Sequence, residues 1–224
     1  MMNVSYSKAH RFVWFRVAKT GTRSIHSVLE KALPDYTYLT EWENSQQHDE
    51  VDALLRGGAF SFSMVRNPWE RLVSAWLDKF KNQPKISKYV DAQIRRCRQL
   101  DDTVDPQVVL NADFAWFVDR LANSQLYRRD PHFRPQSDLL VKAEVEYLGR
   151  FENYLASVSE IFECLDIPMP SEFPHRNKTA SPKRRSHDYY DRRTADVVED
   201  LYAMDIERYG YSVSSDIVRN WSAG

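Results

Sequence analysis

A short segment near the start of the chain has the composition of an anion-binding loop. Residues 17–25, V-A-K-T-G-T-R-S-I, lie between a strand-like apolar run and a helix-like run. The segment supplies one lysine, one glycine and three small hydroxyl residues, namely Lys19, Gly21, Thr20, Thr22 and Ser24. A loop of this kind offers free backbone N–H groups and the positive end of the helix dipole. It predicts a cradle for a phosphate or sulfate group, with a capped helix and an incidental lysine as the alternative.

This loop does not have the pattern of the two best-known phosphate-binding motifs. A Walker A loop requires G-x-x-x-x-G-K-[ST], and the dinucleotide fingerprint requires G-x-G-x-x-G. Residues 17–25 contain Gly21 as their only glycine. The sequence therefore argues against an ATPase, a GTPase or a dinucleotide-dependent dehydrogenase.

A second segment offers a further contact for an anion. Residues 64–74, M-V-R-N-P-W-E-R-L-V-S, place Arg66 at the end of an apolar run and Ser74 eight residues later. Ligands of open α/β sheets bind beyond the carboxyl ends of the strands, where the Arg66 guanidinium can fork onto a phosphate. Ser74 lies two helical turns beyond Asn67, on the helix face that looks back toward Arg66. The alternative is a structural arginine and a core-facing serine.

These segments need a sheet edge and two helices to position them. The order of strand, loop and helix occurs twice, first with strand 11–17 and helix 23–33, then with strand 59–65 and a helix from Pro68. This repetition predicts an α/β fold in which helices flank a parallel sheet. We expect one domain over residues 1–224, with 81–105 as an insertion or lid.

The remaining elements follow from the same periodicities. Loops are expected at 37–49 and 168–182, one or two helical turns at 51–55, and a short strand at 145–151. Longer helices are expected at 114–126, 154–165 and 188–209.

The composition narrows the classes of function. The chain has 224 residues and a net charge of −1, which argues against bulk electrostatic binding to nucleic acid or acidic membranes. The two cysteines show no metal-ligand spacing, and we expect Cys97 and Cys164 to be free and buried. There is no run of about 18 apolar residues for a membrane span, and the polar residues 1–10 lack the core of a signal peptide. A cytoplasmic protein is the expectation.

With these motifs in place, the sequence resembles the sulfotransferases that use 3′-phosphoadenosine 5′-phosphosulfate. It is most similar to the Golgi carbohydrate sulfotransferases, including the heparan sulfate 2-O-sulfotransferases, and to their bacterial relatives. The two segments match the family's K-T-G-T-like loop and its R-[ND]-P-x-x-R-L-x-S string. Three later stretches also resemble family elements, in the same order: D-P-H-F-R-P-Q at 130–136, Y-L-G-R-F-E-N at 147–153 and H-R-N-K-T at 175–179.

The resemblance implies a P-loop-like fold and a set of donor contacts. The loop grips the 5′-phosphosulfate through Lys19, Thr20, Gly21, Thr22, Arg23 and Ser24. Arg66 and Ser74 grip the 3′-phosphate, and a late loop at about 168–187 covers the nucleotide with Lys178 and Thr179. Three departures from the family pattern are Ala18 in place of proline, Arg23 in place of a small hydroxyl residue, and the lack of a cysteine pair in 140–146.

Transfer to a hydroxyl group requires charge stabilisation and a general base. Lys19 is expected to stabilise charge on the bridging oxygen, assisted by a backbone N–H of Gly21 or Thr22. No metal is needed. His48 is the first candidate base because the heparan sulfate enzymes carry a catalytic histidine in the corresponding loop. His132 is the second candidate and a possible contact to the acceptor, and the outside candidates are Glu41 and Glu43.

The acceptor is the least defined part of the prediction. Arg16 is a candidate contact to an anionic acceptor, with an exposed edge charge as its alternative. The acceptor is expected to carry a hydroxyl group and to be a carbohydrate or a small molecule, and the sequence does not indicate an oligomeric state. Two other functions stay open: a nucleotide or small-molecule kinase with a degenerate P-loop, and a non-catalytic nucleotide-binding module.

Overall fold

The computed structural model describes residues 3–40, 47–82, 87–141, 143–171, 173, 185–215 and 217–218. Contacts divide the chain into two compact units. The first unit comprises Met1–Arg66 and Asp138–Ala180, and the second comprises Asn67–Ser137 and Ser181–Gly224. A single domain over the whole chain, with its lid and covering loop, stays a prediction.

The first unit contains a five-stranded sheet. Its strands are β1 (Asn3–Ser7), β2 (Phe12–Arg16), β3 (Thr37–Leu39), β4 (Phe60–Val65) and β5 (Tyr147–Arg150). Their order is β3-β1-β2-β4-β5. β2, β4 and β5 are parallel, as expected, whereas β1 pairs antiparallel with β2 and β3. The sheet is therefore mixed, because the four residues between β1 and β2 can join only antiparallel strands.

The sequence did not predict β1, because three of its five residues are polar. Ser5 and Ser7 are buried, and both are satisfied by hydrogen bonds from outside the strand. The Ser7 hydroxyl donates to the carboxylate of Asp35 at 2.8 Å, and Ser5 Oγ accepts from the Tyr36 hydroxyl at 2.8 Å. These partners, about 30 residues away, make a polar strand compatible with burial.

The helices of the chain alternate with short connections. They are α1 (Thr22–Ala32), α2 (His48–Arg56), α3 (Pro68–Trp76), α4 (Ser87–Leu100), α5 (Pro106–Asn111), α6 (Phe114–Leu121), α7 (Gln125–Arg129), α8 (Gln136–Leu139), α9 (Tyr154–Cys164), α10 (Arg192–Leu201) and α11 (Ala203–Tyr209). A π-helix spans Leu77–Lys81, and 3₁₀ helices span Phe151–Asn153 and Ser186–Tyr189. No helix among the described residues is long and apolar enough to cross a bilayer.

The core of the first unit forms where α1 and α9 cover one face of the sheet. Alternate residues of the strands point to this face, and Trp14 of β2 stacks on Phe62 of β4 with ring centroids 5.6 Å apart. The apolar residues Ile25 and Leu29 of α1 are fully buried against them. The packing fixes α1 relative to the strand that precedes it.

The second unit is helical and has its own core. The side-chain oxygen of Asn67 accepts from the backbone N–H groups of Trp69 and Glu70, so α3 begins with Pro68 in its first turn, as expected. Trp69, Leu72, Val73 and Trp76 form the apolar face of α3 and are buried in the core cluster.

Several sequence-based boundaries are wrong. The 37–49 stretch contains β3 and the start of α2. The 81–105 stretch contains α4, which buries Cys97 and Leu100, and its role as an insertion or lid stays a prediction. The helix expected at 114–126 ends at Leu121, where Ser124 caps α7. The helix expected at 188–209 is divided into two. Asp191 and Thr194 form a capping box at the start of α10, and this helix ends before Tyr202. Cys164, expected to be buried, is exposed.

A buried carboxylate secures the second unit. Asp205 is fully buried, and its oxygens accept from the backbone N–H groups of Gln136 at 2.8 Å and Ser137 at 2.7 Å. The Gln136 side-chain amide donates to the same carboxylate at 3.2 Å. These bonds hold the end of the 130–137 segment.

Replacing this carboxylate should destabilise the protein strongly. We expect Asp205→Ala to lower the free energy of unfolding by about 3 kcal/mol, because three buried donors lose their acceptor. Urea denaturation measures the effect. Asp200→Ala, at an exposed position of α10, is the matched control and should change stability by at most about 0.5 kcal/mol. Equal effects of the two substitutions would contradict the role of Asp205.

Candidate functional site

The candidate site lies at the carboxyl edge of the parallel strands. β2 pairs with β4 and β4 pairs with β5, so their carboxyl ends meet at one edge of the sheet. A cation stands at or near each end: Lys19 follows β2, Arg66 follows β4, and Arg150 ends β5. The edge therefore gathers positive charge from three separate parts of the sequence.

The loop between β2 and α1 has a tightly turned backbone. Lys19 and Gly21 both adopt left-handed conformations, with φ of 73° and 79°. The buried Thr20 hydroxyl between them donates to the carbonyl of Val17 at 2.9 Å, so it stabilises the loop itself. α1 begins with Gly21 at its N-cap, which has no side chain to cap it, and no acidic residue lies in its first turn. The start of α1 therefore has no side-chain cap, and an anion cradle at this loop stays a prediction.

Tyr154, the first residue of α9, supports this loop. Its hydroxyl donates to the carbonyl of Gly21 at 2.9 Å. A Cβ atom at Gly21 would lie 2.3 Å from the Tyr154 ring, so this position requires glycine for space as well as for its backbone angle. Burial raises the pKa of Tyr154 well above its ordinary value, which keeps the hydroxyl protonated as a donor.

Arg66 joins the loop from the neighbouring strand. Its Nη1 donates to the carbonyl of Lys19 at 3.4 Å, and its guanidinium lies 4.2 Å from the centroid of the Phe151 ring. The structure thus brings together Lys19 and Arg66, two residues that the sequence assigned to opposite ends of one ligand.

The other residues predicted to contact the donor lie in the first turn of α1, on α3, or outside the described residues. Ser24 is buried in the first turn of α1, where its N–H donates to the Gly21 carbonyl at 3.1 Å, while Thr22 is half-buried and Arg23 is exposed. Ser74 belongs to the second unit, where it is half-buried on α3. Its role, like those of Thr22 and Arg23, stays a prediction. Two further predicted contacts, Lys178 and Thr179, lie outside the described residues.

Arg16 is a buried residue of a central strand. Its Nη2 donates to the carbonyls of Val4, at 3.2 Å, and of Leu39, and its guanidinium lies 3.4 Å from the centroid of the Tyr38 ring. Burial lowers its pKa, although Tyr38 acts in the opposite direction. The alternative of an exposed edge charge is wrong, because Arg16 is only 6% exposed. A contact to the acceptor stays a prediction.

His48 begins α2 instead of lying within a loop. Its Nε2 is 3.8 Å from the Asp52 carboxylate one helical turn later, and its side chain is 42% exposed. Two outside candidates for the base, Glu41 and Glu43, lie beyond the described residues.

His132 has the surroundings of an oriented base. Its Nδ1 is 2.7 Å from Asp130 Oδ1, and the other carboxylate oxygen accepts from Arg96 Nε at 2.8 Å. Burial lowers the pKa of His132 to about 4, although Asp130 acts against this shift. Burial works to raise the pKa of Asp130, but its bonds to His132 and Arg96 hold it well below its usual range. A pKa of about 4 leaves the imidazole neutral at neutral pH, and the bond to Asp130 places its proton on Nδ1.

The segment that carries His132 is held by buried donors whose roles the sequence did not reveal. Arg71 is 1% exposed and donates to the carbonyls of Pro131 at 3.0 Å and Arg134 at 2.9 Å. The Tyr202 hydroxyl donates to the carbonyl of Phe133 at 2.6 Å. The only sequence feature that could have indicated Arg71 is its place as the second arginine of the R-N-P-W-E-R string. Arg96 lies in a charged stretch, and no sequence feature indicated its role. Among the described residues, no group of three or more His, Cys, Asp or Glu side chains could hold a metal ion.

The close contact between Gly21 and Tyr154 can be tested against a matched glycine. Gly58 has a similar φ of 75°, but a Cβ atom there would meet nothing within 4 Å. Gly58→Ala should therefore cost only backbone strain, about 1–2 kcal/mol of unfolding free energy. We expect Gly21→Ala to cost about 1–3 kcal/mol more, because Tyr154 must also move. Equal losses on urea denaturation would show that Tyr154 yields freely.

Comparison with known proteins places the chain in a family. A profile of the sulfotransferase family matches residues 2–212. Carbohydrate sulfotransferase 14 of Danio rerio is 26% identical over an alignment of 206 residues, and the match covers 88% of this chain and 56% of that protein. The chain thus spans little more than half the length of this relative, and no solved structure matches it significantly. Because the profile covers nearly the whole sequence, the chain belongs to the sulfotransferase family.

Proposed function

We propose that this protein transfers a sulfuryl group from 3′-phosphoadenosine 5′-phosphosulfate to an acceptor hydroxyl group. The observation that carries the proposal is the hydrogen bond between Arg66 and the backbone of Lys19 at the carboxyl edge of β2 and β4. It joins the two family motifs at one sheet edge. Family membership supports the same donor.

The proposed donor contacts divide between the two phosphate-bearing ends of the nucleotide. Residues 19–24 contact the 5′-phosphosulfate through backbone N–H groups, the Lys19 ammonium group and the hydroxyl groups of the loop. Arg66 contacts the 3′-phosphate together with Ser74, and Lys178 and Thr179 cover the nucleotide. The charge of these residues makes a metal unnecessary.

The proposed transfer is an in-line displacement at sulfur. The acceptor oxygen forms a bond to sulfur as the bond from sulfur to the bridging oxygen breaks, and 3′-phosphoadenosine 5′-phosphate leaves. Lys19 and the N–H of Gly21 or Thr22 stabilise the charge that develops on the bridging oxygen. The proton of the acceptor hydroxyl passes to a general base.

The surroundings of the two histidines favour His132 as that base. Asp130 orients its ring, and burial keeps the imidazole neutral, which is the state a general base requires. His48 is more exposed, and its carboxylate neighbour is 3.8 Å away. We therefore place His132 ahead of His48, which reverses the order expected from the sequence.

A carbohydrate is the proposed acceptor. The support is the similarity to a relative named as a carbohydrate sulfotransferase. Arg16 and His132 are the proposed contacts to this acceptor.

The donor is tested first, by calorimetric binding of 3′-phosphoadenosine 5′-phosphate without metal. We expect tight binding by the wild type and a loss of about 10- to 100-fold in Arg66→Ala, because a charge-assisted contact is removed. Arg56→Ala, at an exposed position of α2, is the control and should bind like the wild type. Binding of ATP with magnesium in place of the bisphosphate would instead support the kinase alternative.

The base is tested by comparing two alanine variants in a sulfation assay with a carbohydrate acceptor. We expect His132→Ala to lower kcat by about 10²- to 10⁴-fold, because proton removal loses its acceptor, while binding of the bisphosphate is retained. His48→Ala should keep most of the activity. The reverse result would return the role of base to His48, and unchanged turnover in both variants would exclude these two histidines as the base.

A further inference from the structure

The turn that follows β5 contacts two parts of the proposed donor site, the side chain of Arg66 and the loop at Gly21, which we call its two arms. We infer that its two aromatic residues, Phe151 and Tyr154, are positioning residues that set the two arms separately: Phe151 holds Arg66, and Tyr154 holds the loop at Gly21. This inference rests on the proposed function, because it assigns Arg66 to the 3′-phosphate and the loop to the 5′-phosphosulfate.

Phe151 restricts the side chain of Arg66. The guanidinium lies 4.2 Å from the ring centroid, within the range of a cation–π contact. An arginine side chain loses much rotamer entropy when it binds an anion. A ring that already holds the guanidinium, together with the 3.4 Å bond from Nη1 to the Lys19 carbonyl, lowers that cost before the ligand arrives.

Tyr154 orients a backbone donor of the loop. The carbonyl of Gly21 accepts from the Tyr154 hydroxyl at 2.9 Å and from the backbone N–H of Ser24 at 3.1 Å. The carbonyl of Gly21 and the N–H of Thr22 belong to one planar peptide unit and point in opposite directions. By fixing the carbonyl, Tyr154 therefore also fixes the direction of the Thr22 N–H, which is one of the donors proposed for the bridging oxygen.

Ring packing and hydrogen bonds hold the turn in place. The centroids of the Phe151 and Tyr154 rings lie 5.5 Å apart, so the two residues pack on each other. Ser157 Oγ accepts from the N–H of Arg150 at 3.0 Å and donates to the carbonyl of Arg150 at 3.2 Å, which ties the end of β5 to α9. Such a turn can hold two ligand-binding groups without contacting the ligand.

Two nucleotides distinguish the arms: 3′-phosphoadenosine 5′-phosphate, and adenosine 5′-phosphosulfate, which lacks the 3′-phosphate. For Phe151→Leu we expect affinity for the bisphosphate to fall about 3- to 10-fold, while affinity for adenosine 5′-phosphosulfate stays unchanged. Phe151→Tyr keeps an aromatic face and should restore wild-type binding. Tyr154→Phe should lower the affinity for both nucleotides by a similar factor, because the loop binds both of them.

A double-mutant cycle gives the second measurement. If Phe151 acts through Arg66, adding Phe151→Leu to Arg66→Ala should cause little further loss of affinity for the bisphosphate. Full additivity would overturn the inference. The inference would also be overturned if Phe151→Leu lowered the affinity for both nucleotides equally, or for neither of them. A wild-type protein that binds no bisphosphate would instead refute the proposed function, and the assignment of the arms with it.

Discussion

The parallel pairing of β2 with β4 is the constraint on which the site depends. Phe12 to Phe15 pair with Phe60 to Ser63, so the residues that follow the two strands emerge at the same edge. A shift in this register would separate Arg66 from the carbonyl of Lys19 and would turn every buried side chain of the strand to the opposite face. The stacking of Trp14 on Phe62 fixes the register because both rings occupy one buried face.

The backbone of the cradle is shaped by packing as well as by local sequence. Lys19 has a positive φ although it is not glycine, a conformation that persists where surrounding contacts stabilise it. The buried Thr20 hydroxyl on one side and the Tyr154 hydroxyl on the other supply such contacts. The loop thus owes its form to α9, whose first residue lies 133 positions from Gly21 in the sequence.

In the second unit, packing likewise determines the surroundings of one side chain, the imidazole of His132. Asp130, two residues before His132, orients the imidazole and is itself held by Arg96. Arg71 of α3 and Tyr202, which lies between α10 and α11, hold the carbonyls of the same segment. Each of these buried or half-buried polar groups has a hydrogen-bond partner, so the state of His132 depends on residues spread over about 130 positions.

The sequence by itself determined the pattern of strand, loop and helix, the start of α3 at Pro68, and the position of Lys19 and Arg66 at strand ends. These features depend on local periodicity, capping and turn chemistry, which nearby residues carry. Only the tertiary structure decided the burial of the polar β1, the helix α4 within a charged stretch, the bond from Arg96 to Asp130 beside His132, and the support of Gly21 by Tyr154. In each of these a residue's environment is created by distant partners, and their contribution to stability has no counterpart in the local pattern.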